Sequence, residues 1–330
     1  MSGGRFRLKF AIVALSGLLA GLQTAEAQTT EFAAWLEGVK REALAEGISS
    51  RTVQAALAGV EPIPRILELD RRQPEKTISF NEYVKRTINQ ARIDRGRHLL
   101  REHGSDLDRI GRKYGIQPRF IVALWGIETD FGRNMGGFKV VDALATLAHD
   151  GRRSSYFRKE LLAALRILDQ GHIARDAMRG SWAGAMGQSQ FMPTTFLKYA
   201  QDYDGDGRRD IWSTRLDVFA SAANYLTSVG WDPTKTWGRE VRLPKQVDAA
   251  KLIGLETRKP LAEWARLGVR QTDGGALPTA DLDASLVMPD GPDGRAFLVY
   301  DNYRTIMHWN RSTYFATTVG LLADLIGGVK

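Results

Sequence analysis

The stretch that decides the fold reads Phe120-Ile-Val-Ala-Leu-Trp-Gly-Ile-Glu-Thr-Asp-Phe-Gly132, an apolar run that closes with two acidic residues. Pro118 precedes it and suits the first turn of a helix, where the missing amide hydrogen would have no partner. On a helix, Leu124 and Trp125 lie four and three residues before Glu128 and share its face. The stretch therefore predicts a buried helix that ends near Glu128.

Glu128 would lie on the apolar face of this helix, where an ionised carboxylate is costly. Burial should raise the pKa of Glu128 and keep it protonated near neutral pH, which suits a general acid. A buried structural glutamate that caps a neighbouring element accounts for the segment equally well, and the residues alone leave both readings open. Asp130 points away if the helix continues, so it is a poor partner for a carboxylate pair.

The composition excludes several classes of protein. The chain has 330 residues, no cysteine, a formal net charge of +8 and a hydrophobic fraction of 43%, which is typical of a folded globular protein. Without cysteine there are no disulfides, no cysteine-ligated zinc, no iron–sulfur clusters and no thiol nucleophile. The positive charge predicts an anionic partner, for which nucleic acid, a membrane surface and an acidic cell wall are the candidates.

The N-terminus has the pattern of a secretory signal peptide, which we assign to residues 1–27. Three basic residues precede an apolar run over residues 10–22, and Ala25-Glu26-Ala27 is typical of a cleavage site. The run is short for a membrane span, so an uncleaved anchor is the minority alternative. Cleavage after Ala27 lowers the net charge to +6. We expect an exported protein in the periplasm of a Gram-negative bacterium, without a lipid or other stable membrane anchor.

Hydrophobic periodicity predicts a mainly α protein of the α+β type, with a small β-containing subdomain. Helical patterns cover residues 31–60, 78–104, 105–115, 154–168, 217–229 and 311–326. Short β-like runs lie between residues 238 and 300, where Asp290-Gly-Pro-Asp-Gly294 is a strong turn signal. We predict one domain over residues 28–330, with a helical core at about 28–236 and 301–330 and a small β-containing part at about 237–300.

A second unusual segment reads Gly180-Ser-Trp-Ala-Gly-Ala-Met-Gly-Gln-Ser-Gln-Phe-Met-Pro-Thr-Thr195, with many small residues and few charges. Small residues allow close backbone approach, which suits a loop that lines a groove. Its polar side chains, Gln188 and Ser189 among them, are candidates for hydrogen bonds to sugars, and Trp182 and Phe191 are candidates for stacking. A tight turn between packed helices is the structural alternative.

Both segments, together with Asp142-Ala-Leu-Ala-Thr-Leu-Ala148, resemble the motifs of the lytic murein transglycosylases of the membrane-bound B type. The resemblance covers roughly residues 30–330, and the order and spacing of several long motifs make it specific. It implies a goose-lysozyme-like helical catalytic core and cleavage of the β-1,4 bond between N-acetylmuramic acid and N-acetylglucosamine. The expected partner is therefore the peptidoglycan glycan strand and not nucleic acid. We expect a soluble, non-lipidated monomer, with other cell-wall enzymes as further candidate partners.

The resemblance also implies a mechanism with one carboxylate and no catalytic cofactor. Glu128 would protonate the leaving glycosidic oxygen and then, as a base, take the proton of the C6 hydroxyl, which yields a 1,6-anhydromuramic acid end. A hydrolytic muramidase and a non-catalytic, calcium-dependent wall-binding scaffold are the alternatives. The apolar setting of Glu128 weighs against the scaffold, and the lack of a clear second carboxylate weighs weakly against the hydrolase.

Further positions match the family residue by residue or suit sugar binding. The candidate substrate-binding residues are Arg152, Arg153, Tyr156, Ser181, Gln190, Phe191, Tyr225 and Asn310. The arginines would meet lactyl or peptide carboxylates, although without the resemblance we would assign them to a solvated helix start. Trp309 stands where the family often has tyrosine, which keeps a stacking ring but loses a hydroxyl.

A third segment, Asp202-Tyr-Asp-Gly-Asp-Gly-Arg-Arg-Asp-Ile-Trp212, has acidic residues at positions 1, 3, 5 and 9 and glycine at position 6, as in most of the EF-hand pattern. Position 12 is serine, and the resemblance implies that the last acid comes from further along the chain. The candidate ligands of a structural calcium ion are Asp202, Asp204, Asp206, the backbone carbonyl of Arg208, and Asp217. An Asp-Gly turn without metal is the alternative.

Overall fold

The computed structural model describes residues 30–71 and 78–329, so the predicted signal peptide lies outside the described residues. The described residues divide into two compact units, one formed by residues 30–71 and 137–185 and the other by residues 78–136 and 186–329. These boundaries differ from the predicted division into a helical core and a β-containing part, which stays a prediction. Within the described ranges, none of the helices has both the length and the apolar character to cross a membrane.

The protein is mainly helical, with a small antiparallel sheet. The described helices are α1 (residues 30–45), α2 (Ser50–Leu57), α3 (Pro64–Arg71), α4 (Phe80–Thr87), α5 (Gln90–Glu102), α6 (Gly104–Tyr114), α7 (Pro118–Thr129), α8 (Val140–His149), α9 (Ser154–Asp169), α10 (Pro193–Tyr199), α11 (Arg215–Ser228), α12 (Leu261–Arg266), α13 (Asp301–Trp309) and α14 (Thr313–Gly327). The strands are β1 (Phe138–Lys139), β2 (Arg179–Gly180), β3 (Gly238–Arg242), β4 (Lys259–Pro260), β5 (Arg270–Gln271), β6 (Asp283–Val287) and β7 (Ala296–Val299).

The first unit is built around α8 and α9, which pack against each other, with α3 on α8 and α2 on α9. Leu161, Leu162 and Leu165 are buried on α9, in agreement with the predicted apolar face. The short strands β1 and β2 pair antiparallel in the same unit. Helix α9 begins at Ser154, directly after Arg153, whose backbone is left-handed with φ 59°.

The second unit is organised by α7, which α5, α6, α11 and α14 surround. Pro118 occupies its first turn, as predicted, and every residue from Phe120 to Gly126 is buried. A helix that is apolar on all sides needs neighbours on all sides, and these four helices supply them. The deciding stretch of sequence is therefore the central helix of this unit.

The prediction of one long helix over residues 78–104 is wrong, because the chain breaks between α4 and α5. Asn89 is extended and its side chain accepts a 2.9 Å hydrogen bond from the backbone amide of Arg92, which makes it the N-cap of α5. The Arg92 guanidinium donates back to the carbonyl of Thr87 at the end of α4. Side-chain capping by asparagine competes with helix continuation and wins here.

The predicted β-containing part forms a five-stranded antiparallel sheet in the order β4-β6-β7-β3-β5. Leu286 of β6 pairs with Leu298 of β7, and both are buried in a local core with Trp264. The turn predicted at Asp290–Gly294 joins these strands. The Asp290 carboxylate accepts hydrogen bonds from the backbone amide of Phe80 and from the hydroxyl of Tyr314. The first of these bonds ties the turn to α4.

Candidate active site

Glu128 lies one residue before the end of α7, beside a small and mostly apolar cavity. The cavity is lined by Ile121, Leu124, Trp125, Glu128, Gln188, Ser189, Val218, Phe219, Ala222 and Trp309. Leu124 and Trp125 come from the same face of α7 as Glu128, so the predicted helical face is confirmed. Glu128 is the one carboxylate among these lining residues, and it stays partly exposed, as a proton donor must.

Burial raises the pKa of Glu128 from its usual 4.5 to about 7. The cause is loss of hydration, which penalises the charged carboxylate more than the neutral acid. A hydrogen bond from Trp309 Nε1 to Glu128 Oε1, 2.7 Å long, acts in the opposite direction and lowers the pKa. The carboxyl is therefore largely protonated below pH 7 and still close enough to its pKa to exchange a proton in both directions.

Asp130 is engaged elsewhere. It follows the last residue of α7 with a left-handed backbone, φ 51°. Its carboxylate accepts from Arg92 at 3.3 Å and from Arg133. These two ion pairs account for Asp130 and leave the chemistry of the cavity to Glu128.

Gln188 ties the Gly-rich loop to α7. Its side-chain oxygen accepts from Trp125 Nε1 at 2.8 Å, and its nitrogen donates to the carbonyl of Trp212 at 2.7 Å. The hydroxyl of Thr129 donates to the Gln188 carbonyl at 3.0 Å. Gln188 and Ser189 are buried. The fold leaves both side chains little free surface, and that they bind sugar hydroxyls stays a prediction.

Three aromatic rings meet beside Glu128. The Trp309 ring centroid lies 5.2 Å from that of Phe191 and 4.8 Å from that of Tyr225. The Tyr225 hydroxyl donates to the carbonyl of His308 at 2.7 Å. Phe191 is only 2% exposed and Tyr225 9%. Phe191 therefore packs against Trp309 and has little free surface, and stacking of its ring on a sugar stays a prediction.

Gln190 and Asn310 also belong to the second unit. Gln190 has a left-handed backbone, φ 49°, and its amide nitrogen donates to the carbonyls of Gly187 and Met135. Asn310 is exposed at the end of α13, where its side chain accepts from the amide of Ser312. Their side chains are thus half-buried and exposed respectively, within the same unit as Glu128.

The other candidate residues lie in the first unit. Arg152 and Arg153 donate to the buried carboxylate of Asp70, at 2.8 and 2.6 Å. Hydrogen bonds from Arg152 are the largest cause that lowers the pKa of Asp70. Tyr156 is 44% exposed, and Ser181 Oγ accepts from the amide of Ala185. The arginines thus have a carboxylate partner inside the protein, although about half of each side chain is exposed.

Asp70 did not enter the sequence predictions, although a signal for it exists. It lies four residues after Ile66 on the buried side of the amphipathic helix α3. A carboxylate in that position needs a cation, and a pair of adjacent arginines elsewhere in the chain is a suitable source.

Three of the predicted calcium ligands come together. Carboxylate oxygens of Asp202, Asp204 and Asp217 lie within 4.8 Å of one another. Asp217 is fully buried, and burial together with the two neighbouring carboxylates raises its pKa to about 6. Asp206 instead makes a 3.5 Å ion pair with Arg208 and is not part of this group. Three hard oxygen donors with excess negative charge fit Ca²⁺.

Asp217 is held in place by the backbone. Its two oxygens accept from the amides of Tyr203 and Asp210, both at 2.7 Å. Asp210, the acid at position 9 of the loop, accepts from the amides of Trp212 and Ser213. Backbone amides of the loop thus donate to the carboxylates of Asp210 and Asp217 and hold the loop closed. Asp217, the buried carboxylate, belongs to α11.

The chain is similar to known proteins both in sequence and in structure. The family described as transglycosylase SLT domain matches residues 31–324. Membrane-bound lytic murein transglycosylase B of Escherichia coli (strain K12) is 29% identical over 291 residues, covering 85% of this chain and 79% of that protein.

Two solved structures are also similar. SltB3 of Pseudomonas aeruginosa, in complex with NAG-anhNAM-pentapeptide, has a TM-score of 0.87 and 44% identity, and the match covers 90% of this chain and 80% of that one. Escherichia coli lytic transglycosylase Slt35 in complex with calcium has a TM-score of 0.74 and 28% identity, covering 88% and 92% of the two chains.

The fold is that of a lytic transglycosylase. The chain belongs to the transglycosylase SLT domain family and is a peptidoglycan lytic transglycosylase.

Proposed function

We propose that Glu128 is the single acid–base residue of this enzyme and that the product carries a 1,6-anhydromuramic acid end. The observation that carries the proposal is a carboxyl with a pKa of about 7, which is the one carboxylate on its cavity. Hydrolysis through two carboxylates needs a second one near the scissile bond. Asp130, two residues on, is bound by two arginines.

The reaction balances with Glu128 alone. The neutral carboxyl gives its proton to the glycosidic oxygen as the bond from C1 of the muramic acid breaks, and N-acetylglucosamine leaves as the alcohol. The acetamide carbonyl of the muramic acid stabilises the positive charge at C1. The Glu128 carboxylate then takes the proton of the C6 hydroxyl while O6 bonds to C1. Glu128 ends protonated and no water is consumed.

The proton exchange suits a group whose pKa lies near the working pH. An acid with a pKa of about 7 protonates a leaving oxygen readily, and its conjugate base is still strong enough to assist the attacking hydroxyl. The C6 hydroxyl belongs to the same sugar as C1, so it competes with water at a high effective concentration.

We further propose that sugar contacts come from side chains that keep free surface. Gln190 and Asn310 supply them in the second unit, and Tyr156 together with the exposed parts of Arg152 and Arg153 supplies them in the first unit. SltB3 was solved with NAG-NAM-pentapeptide, a fragment that carries carboxylates. In this proposal the arginines balance Asp70 and retain one excess positive charge for such groups.

Export and calcium complete the proposal. The basic, apolar and small-residue pattern of residues 1–27 supports secretion to the periplasm, where the wall polymer is anionic and the net charge of the exported chain is positive. Calcium bound by Asp202, Asp204 and Asp217 would have a structural role, supported by the convergence of their oxygens and by the calcium complex of Slt35.

The test is digestion of purified sacculi followed by mass spectrometry of the released muropeptides. We expect products lighter by one water than hydrolysis products, with no reducing muramic acid ends. Glu128→Gln should reduce release by about a thousandfold or more, because the amide cannot donate a proton. The matched control is Asp130→Asn, two residues after Glu128, and this variant should keep most of the activity.

Two results would overturn the proposal. Reducing ends as the main product would assign hydrolysis, and substantial release by a folded Glu128→Gln variant would remove the assigned role of Glu128. Binding of sacculi without any release by the wild-type protein would favour a scaffold.

A further inference from the structure

We propose that Trp309 is a positioning residue for the acid: its one-way hydrogen bond keeps the proton of Glu128 on Oε2, the oxygen that delivers it. This inference rests on the proposed function of Glu128. The two carboxyl oxygens of Glu128 are chemically equivalent in isolation, but the hydrogen bond from Trp309 to Oε1 distinguishes them.

The indole fixes the role of Oε1. Trp309 Nε1 lies 2.7 Å from Glu128 Oε1, within normal hydrogen-bond distance. An indole N–H only donates and has no lone pair to accept with. Oε1 must therefore be an acceptor in both protonation states. In the neutral acid the carbonyl oxygen is the better acceptor, so this bond favours Oε1 as the carbonyl oxygen and the hydroxyl hydrogen on Oε2.

A tyrosine in this position would not impose the same order. A phenolic hydroxyl both donates and accepts, so it tolerates a proton on either carboxyl oxygen. The resemblance noted above places tyrosine here in many relatives. The tryptophan of this chain therefore gives Glu128 a partner that only donates.

The indole is itself held by its neighbours. Phe191 and Tyr225 pack against the ring, and the Tyr225 hydroxyl bonds the carbonyl of His308, the residue next to Trp309. Tyr199 in turn packs edge-on against Tyr225 at 4.7 Å. A donor fixed in this way orients the carboxyl without rearrangement during the reaction.

The charged form of Glu128 gains most from this bond. A hydrogen bond to a carboxylate is stronger than one to the neutral acid, so Trp309 stabilises the anion formed when the proton leaves. The indole thus opposes the effect of burial and assists proton release.

Other titratable groups near the site do not mimic this effect. Burial raises the pKa of Tyr83 on α4 and of Tyr225 on α11, so both stay neutral in the working range. Desolvation lowers the pKa of His103, which lies against Trp125. The permanent charge of Arg92 is paired with Asp130. Glu128 is therefore the group expected to titrate near pH 7.

The first test is the pH profile of turnover on a soluble glycan substrate. Trp309→Phe keeps an aromatic ring and removes the donor. The alkaline limb should move upward by about one pH unit, because a bond that favours the anion is lost. The maximal rate should fall about tenfold with a smaller change in KM.

Two further variants serve as controls. Trp309→Tyr supplies a hydroxyl as a donor in place of the indole N–H and should keep the alkaline limb closer to the wild-type position than Trp309→Phe does. In the wild-type protein the Trp231 indole donates to Gln117, and its ring packs against Phe120 at the opposite end of α7. Trp231→Phe therefore also removes an indole donor, but one far from Glu128 along this helix. It should leave the limb unmoved. A Trp309→Phe variant that loses rate without a shift of the limb would overturn the inference.

A spectroscopic measurement tests the proton position directly and does not need turnover. At pH 5 the infrared carbonyl stretch of neutral Glu128 is identified by its loss in Glu128→Gln. If Oε1 is the carbonyl oxygen and accepts from Trp309, Trp309→Phe should raise the carbonyl frequency because the hydrogen bond is lost. Trp309→Tyr should change the frequency because the donor is different, and Trp231→Phe should leave it unchanged. An unchanged band in both Trp309 variants would overturn the inference.

The two proposals fail in different ways. An active Glu128→Gln variant removes the proposed function and this inference together. An inactive Glu128→Gln variant combined with an unshifted Trp309→Phe profile removes the inference alone.

Discussion

Glu128 and Asp217 are both carboxylates whose pKa is raised by burial, yet their surroundings differ. Glu128 lies among apolar side chains with one indole donor. Asp217 accepts from two backbone amides and lies beside Asp202 and Asp204. Burial raises the first pKa to about 7, and burial with like-charge repulsion raises the second to about 6.

The difference shows that neighbours, not burial alone, decide what a buried carboxylate does. In an apolar cavity the lowest-energy response is to keep a proton, which makes an acid. Among other carboxylates, a divalent cation relieves the repulsion of all of them at once, which makes a metal ligand. Calcium should therefore stabilise the region around Asp217 and leave Glu128 unaffected.

The largest expected effect that separates the two regions is calcium-dependent stability. Calcium at about a hundred times its dissociation constant should stabilise the wild-type protein by about 2.7 kcal/mol, and Asp217→Asn should lose this gain. Thermal unfolding with and without calcium measures it. Glu128→Gln is the matched control and should respond like the wild type. An Asp217→Asn variant as responsive as wild type would place calcium elsewhere.

The second effect is a pH-dependent stabilisation by Glu128→Gln. The folded pKa of about 7 lies above the usual 4.5, so the native state binds the proton more tightly and wild-type stability falls as pH rises between these values. The amide has no charge to bury. Glu128→Gln should therefore stabilise the protein at pH 8 by about 2 kcal/mol, and have little effect at pH 4.

Denaturant unfolding at both pH values measures this difference. Asp130→Asn should show no such gain at pH 8, because the amide would lose the ion pairs with Arg92 and Arg133. A Glu128→Gln variant that is equally stable relative to wild type at pH 4 and pH 8 would contradict a buried, proton-retaining glutamate.

The smallest effect compares one glycine from each region. Gly132 and Gly205 have nearly the same backbone, φ 81° and 80°, so alanine strains both by about 1 kcal/mol. An added Cβ at Gly132 would lie 2.4 Å from Gln188 Oε1, whereas at Gly205 it meets nothing within 4 Å. Gly132→Ala should therefore cost about 1–2 kcal/mol more than Gly205→Ala in denaturant unfolding. Equal costs would show that the Gln188 side chain moves freely.

Local patterns predicted much of the fold and part of the site. The apolar stretch before Glu128 forms α7, and the turn at Asp290–Gly294 joins two strands, because periodicity and turn chemistry act over a few residues. The break at Asn89 was missed although its capping signal is equally local, since the arginine-rich pattern continues across it.

Contacts of particular side chains are harder to predict from the sequence. Gln188 and Phe191 look suited to sugars in the sequence, yet the fold buries both. Their polar or aromatic character served internal contacts with Trp125 and Trp309. A side chain's chemistry is visible in the sequence, but its accessibility depends on which distant segments cover it.

The sequence by itself determined that Glu128 stands on an apolar helical face and that aspartates recur at a calcium-binding spacing, because both depend on neighbours a few residues away. Only the tertiary structure decided that Trp309, 181 residues distant, donates to Glu128, and that Asp70 receives Arg152 and Arg153. The physical reason is range. Helical periodicity is a local property, whereas hydrogen-bond partners and desolvation arise only when remote parts of the chain pack together.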